Sequence, residues 1–369
     1  MNNIQTFYSQ KNDINEAVFE LKNHLSKFDT KVLLFFASSC YEPHALSKAM
    51  KDSFSESEVF GCTTAGEITT GKMLKNSIVV MAFNKDAIDD ISIGVVENVN
   101  DSENVREVFK SFESHYHQTM RNLDIEKYVG LILIDGLALA EEDIMDKIGD
   151  LTNVTFIGGS AGDDLKFTAT YVFANGKTYN NAAILALMKP KKAFHVVKTQ
   201  SFCSSNETLI ANKVIPEERA VVEFNGKPAA QAYTEALGAK TDNANNYFMT
   251  NPLGLMVGEE PYVRSPRIVE DNKMKFYCNV IEGMELNVLK STDMIQDTRE
   301  ALANKIKEVG PISGLINFHC ILRTLELEQK NLTSEYGLVF KNVPTIGFST
   351  YGEEYIGHVN QTSTILLFK

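Results

Sequence analysis

A seven-residue phrase stands near both ends of this chain. Gly61-Cys62-Thr63-Thr64-Ala65-Gly66-Glu67 is answered by Gly347-Phe348-Ser349-Thr350-Tyr351-Gly352-Glu353, with a shorter echo, Gly158-Gly159-Ser160-Ala161-Gly162-Asp163, between them. The flanks recur as well. An apolar run precedes each copy (residues 33–36, 131–134 and 315–318), and a strand-like run follows each (77–83, 182–188 and 363–368). The step from Gly61 to Ser77 equals that from Gly347 to Ser363, 16 residues. Such a chain is constrained to build one supersecondary unit about three times.

Each unit reads as strand, helix, turn, strand. Residues 32–37 form a continuous apolar run of strand length, too short for a helix. Pro43 opens a helix to about residue 53, proline being favoured in a first helical turn. Residues 78–83 read as a buried strand, and 91–95 alternate as its neighbour. The second unit pairs residues 130–134 with a helix over 140–150. Its Asn175-Gly176 step predicts a tight hairpin, because both residues tolerate positive φ. A helix over 103–121 joins these two units, with Val105, Val108, Phe109, Phe112 and Tyr116 at helical spacing. The third unit runs from residue 314 to the end, and residues 193–201 read as a strand of the first sheet. Residues 221–310 add strands and two helices. The expected class is α/β to α+β: two domains of mixed sheets flanked by helices, 1–220 and 221–369.

Composition narrows the function. The 36 basic and 48 acidic residues give a net charge of −12, without the basic footprint of a nucleic-acid or anionic-membrane binder. There is no signal-peptide pattern at the N-terminus and no apolar stretch near the roughly 20 residues that span a bilayer. Five scattered cysteines without a CxxC pair give neither a disulfide framework nor a zinc site. The expectation is a cytoplasmic protein with reduced thiols and no membrane insertion.

The glycine phrase is neither a Walker loop nor GxGxxG. Its glycines shape the turn, and its glutamate either caps the turn or holds an ammonium group. Phe318-His319-Cys320-Ile321-Leu322-Arg323 carries more chemistry. It ends a strand and starts a helix, where Cys320 would gain thiolate character and Arg323 could clamp a carboxylate. A small buried cysteine beside a surface arginine is the plain alternative. Cys62 and Cys40 invite the thiolate argument more weakly. His319 and His358 belong to the third unit, but no Cys-His or Ser-His-Asp set assembles, and His115 and His117 lie on different helical faces.

The phrases 61–67 and 158–163 with Asn175-Gly176 resemble the N-terminal FIST domain. Asn225-Gly226-Lys227-Pro228-Ala229, Pro252-Leu253-Gly254-Leu255, Tyr262-Val263-Arg264, Ile281-Glu282-Gly283-Met284-Glu285-Leu286, Cys320 with Arg323, 347–353 and Asn360-Gln361-Thr362 are similar to the FIST C-terminal domain. The resemblance runs from about residue 30 to the end. It implies a sensory, ligand-binding protein of bacterial signal transduction rather than an enzyme, with a small molecule such as an amino acid as ligand. It admits haem and nitric oxide sensing as an alternative, with no histidine matched to a haem motif and only His319 and His358 as weak candidates; an enzyme using Cys320 is a further alternative. Carried over by position, Arg264, Cys320, Arg323, Gly352, Glu353, Asn360 and Thr362 become site candidates, with Cys62 and Glu67 from the first copy. No kinase, F-box or output segment is recognised, so the expected partner is a separate histidine kinase, chemoreceptor or cyclic-di-nucleotide enzyme.

Overall fold

The structure, a computed structural model, describes residues 3–258 and 260–369; the side chains of Asp242 and His358 lie outside the described residues. Two compact units share the chain. One holds the described residues up to Lys198 with Arg299–His358 and Ser363–Lys369; the other holds Thr199–Thr298 with Val359–Thr362.

The first unit begins with β1 (Ile4–Ser9) and α1 (Ile14–His24), then copy I: β2 (Val32–Ser38), α2 (Pro43–Ser53), β3 (Glu58–Thr64), the hairpin β4 (Glu67–Thr69) and β5 (Lys72–Leu74), and β6 (Ile78–Phe83). Local chemistry sets the helix starts. Asp13 accepts from Glu16 N ahead of α1, and Glu42 accepts from His44 N and Ala45 N ahead of α2, whose first residue is Pro43. After β7 (Ile88–Glu97) and α3 (Val105–Tyr116) comes copy II: β8 (Val129–Ile134), α4 (Glu141–Leu151), β9 (Phe156–Ser160), the hairpin β10 (Val172–Ala174) and β11 (Lys177–Tyr179), β12 (Ala182–Pro190), and then β13 (Phe194–Gln200). The β10–β11 turn has φ 48° at Asn175 and 84° at Gly176, as the Asn-Gly step requires.

The second unit is one eight-stranded sheet. Its strands are β14 (Phe202–Ile215), β15 (Ala220–Phe224), β16 (Lys227–Pro228), β17 (Leu253–Val257), β18 (Glu260–Arg264), β19 (Pro266–Glu270), β20 (Lys273–Phe276) and β21 (Glu285–Ser291). The helix α5 (Ala229–Ala236) covers an apolar cluster that includes Leu209, Phe224, Tyr233 and Val288. The chain leaves this unit within α6 (Met294–Val309). Copy III follows: β22 (Gly314–Cys320), α7 (Ile321–Gln329), α8 (Thr333–Leu338), β23 (Thr345–Thr350), the hairpin β24 (Glu353–Tyr355) and β25 (His358–Val359), and β26 (Thr362–Phe368).

The three copies share one pairing scheme. Each has a parallel strand pair, β2 with β3, β8 with β9 and β22 with β23, and an antiparallel return strand, β6, β12 or β26. Each also lends its hairpin to another copy. β4 pairs with β23, β10 with β3, and β24 with β9, so the exchange I to III, III to II, II to I closes on itself. The inner faces of all three sheets feed one apolar core, with Phe36, Phe318 and Phe348 in contact and Leu34, Leu131, Ile184 and Leu366 around them.

Two sequence expectations change. Residues 91–95 fall in β7, which pairs with β12 in the sheet of copy II rather than with β6. Of residues 193–201, Phe194–Gln200 form β13, which extends the sheet of copy III beside β26 rather than the first sheet. In both cases the strand propensity is local, but the sheet edge to which the strand adds is encoded by no local pattern.

Candidate functional site

The glycine phrases are the crossing points of the exchange. Thr63, Ser160 and Ser349 hold the same place in copies I, II and III, and each uses its backbone twice on the chain coming from another copy. Thr63 N–H donates to Tyr171 O at 2.9 Å while its carbonyl accepts from Gly162 N at 3.0 Å. Ser160 N–H donates to Gly352 O at 2.8 Å and its carbonyl accepts from Tyr351 N at 3.1 Å. Ser349 N–H donates to Gly66 O at 2.8 Å and its carbonyl accepts from Ala65 N at 3.2 Å. Small residues are required here because three backbones converge.

The glutamates of the phrase are buried with their turns. Glu67 accepts from the Thr64 hydroxyl, from Ser77 N at 3.2 Å and from Ser77 Oγ at 2.6 Å, and burial pushes its carboxyl up to about 8. Glu353 accepts from Thr350 Oγ1 at 2.5 Å. Glu354 accepts from Ser160 Oγ at 3.0 Å, and burial raises its carboxyl likewise to about 8. Cys62 does not gain the thiolate character considered for it. It is sealed in the core, and burial, with Glu354 nearby, raises its thiol well above the ordinary value. Cys40 is raised too, first by burial.

Copy III departs from the other two on its outer face. Phe35 and Ala37 of β2 and Ile132 and Ile134 of β8 face outward into apolar clusters under α1–α2 and α3–α4. Register places Asn317 and His319 of β22 at those positions: Phe35, Ile132 and Asn317 face Gly61, Gly158 and Gly347 respectively. Likewise Ile78 and Ala183 are replaced by Ser363, the strand partner of His319. Asn317, His319 and Ser363 are each 0% exposed.

These side chains form a chain of hydrogen bonds. Tyr336 O–H donates to Ser363 Oγ at 3.4 Å, and Ser363 donates to Asn317 Oδ1 at 2.7 Å. Tyr336 Oη and His319 Nδ1 are hydrogen-bonded at 3.0 Å, with the donor set by the imidazole tautomer. Neither His319 Nε2 nor Asn317 Nδ2 has a hydrogen-bond partner among the described residues. Burial, and then the Arg323 guanidinium, keep the His319 imidazole well below its ordinary value, hence neutral. Arg323, 1% exposed, is the largest fully buried side chain of the described residues, and Cys320, also 1% exposed, stands at the N-cap position of the same helix without a side-chain capping bond.

The remaining candidates lie in the second unit. Arg264 ends β18, and Asn360 and Thr362 belong to the four-residue return Val359–Thr362. That return is fastened by Gln361, which accepts from Ser265 Oγ at 3.0 Å and donates to Met249 O at 3.0 Å. Gly352 serves the crossing described above, accepting from Ser160 N.

Haem requires an imidazole nitrogen facing open space. His319 does not fit a macrocycle: its side chain is enclosed and its Nδ1 is hydrogen-bonded to Tyr336. The side chain of His358 lies outside the described residues. Asn317, Tyr336 and Ser363 were not apparent as site residues from the sequence. The signal was present: Leu315-Ile316-Asn317-Phe318-His319 alternates, whereas the matching runs of copies I and II are continuously apolar.

Family models agree with this architecture. The FIST N domain matches residues 31–227 and the FIST C domain residues 229–355. An uncharacterized protein of Methanocaldococcus jannaschii is 24% identical over 332 residues, covering 84% of this chain; the chain spans 63% of the length of that relative. FIST domains are associated with sensory signal transduction. The closed exchange of hairpins among three copies, with one copy polar where the others are apolar, is therefore the structure of a chain that belongs to the FIST family.

Proposed function

We propose that this protein is a sensor that binds a small polar molecule and regulates a separate signalling partner, with the outer face of copy III as the ligand-recognition surface. One observation carries the reading: three register-matched positions that are apolar in copies I and II are Asn317, His319 and Ser363 in copy III, all buried. Burying polar groups where an apolar set serves equally well costs folding free energy, and a binding role explains its retention. Arg323 supplies the anion contact, with Cys320 and Glu353 on the same copy; since these side chains are enclosed, the ligand reaches them only as this face opens. Arg264, Asn360 and Thr362 lie in the second unit and are not assigned to this face. Glu67 is assigned to its turn rather than to ligand, since Thr64 and Ser77 already engage both of its oxygens. The ligand class that suits an arginine beside neutral imidazole, amide and hydroxyl groups is a small polar acid, and amino acids belong to it.

A thermal-shift panel of amino acids and small hydroxy acids tests this. At least one compound should raise the melting temperature of the wild type, and Arg323→Gln should lose that rise, since a hydrogen bond to a charged group is worth about 1.5–3 kcal/mol. An equal shift in both proteins would remove Arg323 from the site.

A further inference from the structure

Copies I and III pass from the phrase directly into their hairpins at Glu67 and Glu353, but copy II spends residues 163–171 on a loop first. The loop is held in an unusual shape. Asp164, Leu165 and Phe167 have φ of 55°, 63° and 51°, conformations that leucine and phenylalanine adopt rarely and at a cost. The Asp163 carboxylate holds it there, accepting from Phe167 N, Thr168 N, Ala169 N and the Tyr351 hydroxyl. Between this loop and the start of α2 lies a cleft of about 170 Å³, lined by Ser39, Tyr41, Pro43, Asp163, Lys166 and Tyr171 among others.

The charges in the cleft are not equally available. Asp163 already accepts four strong donors, about as many as a carboxylate has lone-pair sites. Lys166 is different. Its ammonium donates to Ser39 Oγ at 2.8 Å, and Ser39 passes its own proton to Asp164 Oδ2 at 2.6 Å. An ammonium has three donors, so Lys166 retains two. The lining also holds Tyr41, Pro43 and Tyr171, two aromatic rings and a proline. An engineered cavity of about 150 Å³ in another protein takes one benzene ring, so this volume suits a single ring.

We propose that this cleft is a second ligand site, distinct from the face of copy III, that binds single-ring aromatic carboxylates with the ring on Tyr41, Pro43 and Tyr171 and the carboxylate on Lys166. Isothermal titration of the full chain with sodium benzoate tests it, with benzamide as the neutral match and acetate as the charge without a ring. Benzoate should bind at least about tenfold more tightly than either, as expected for a charge-assisted contact added to ring burial. Lys166→Met should bring benzoate down to benzamide, and Arg323→Gln should leave benzoate unchanged. Equal binding of benzoate and benzamide, indifference to Lys166→Met, or absence of saturable benzoate binding would overturn the proposal. Loss of benzoate binding in Arg323→Gln with Lys166→Met unaffected would place the acid on copy III instead. Because Lys166 is exposed, its substitution leaves the core intact.

Discussion

Gly158→Ala should cost more than about 4 kcal/mol and leave the protein largely insoluble, with Gly61→Ala close behind. An added Cβ would stand 1.8 Å from the carbonyl oxygen of Ile132 at Gly158 and 1.8 Å from that of Phe35 at Gly61. Both oxygens belong to the paired strand of the same copy, so neither can yield without breaking the parallel ladder. At Gly347 the corresponding distance, to Asn317 O, is 2.3 Å. Three glycines clashing with the same partner in three copies tie the repeat to close strand approach rather than to ligand contact. Gly149 provides the control. It lies within α4 with nothing near its would-be Cβ, so Gly149→Ala should stabilise by about 1 kcal/mol. Urea midpoints of the three variants check this; a folded Gly158→Ala within about 1 kcal/mol of wild type would contradict the close-approach argument.

The second large effect is on pH dependence. Glu67 and Glu354 have folded values near 8 against an ordinary 4.5, because both are buried. The native state therefore holds protons that the unfolded chain releases between pH 4.5 and 8. Stability must fall as pH rises through that window, the contribution being fully present below it and lost above it. Each proton gives a slope of about 1.4 kcal/mol per pH unit, so two give up to about 2.7 near the middle of the window. Glu67→Gln and Glu354→Gln should each remove about one proton's worth of slope. Urea denaturation at pH 5, 6, 7 and 8 measures it, and stability that is flat or rising over that range would show the carboxylates ionised in the fold.

Much of this architecture was legible in the chain. The apolar runs and Asn175-Gly176 gave the strands and the hairpin because period and turn chemistry act locally. What was hidden was exchange between copies. A hairpin's own residues do not record whose sheet it joins, which hides the crossing role of Thr63, Ser160 and Ser349, and the strand runs of β7 and β13 do not record which sheet edge they extend. At the site, Cys320 and Arg323 stood out because their types carry chemistry. Asn317 and Ser363 did not, since a buried asparagine or serine becomes informative only when the same register positions of copies I and II are found to be apolar. The thiolate reading of Cys62 fails for a physical reason: its side chain lies in the shared core, where no charge is stabilised.

The central claim is that copy III keeps a buried polar face for binding, at a cost to folding. The most direct measurement is the stability of a chain in which that face is made apolar: Asn317→Leu, His319→Leu, Ser363→Ala and Tyr336→Phe together. Removing every member of a hydrogen-bonded set at once leaves few orphaned groups and is often neutral or stabilising, unlike removing one member. The account predicts a urea midpoint at or above wild type together with loss of every ligand-induced thermal shift that depends on Arg323. A variant destabilised by more than about 3 kcal/mol would show that the polar face holds the fold together, and would contradict the account.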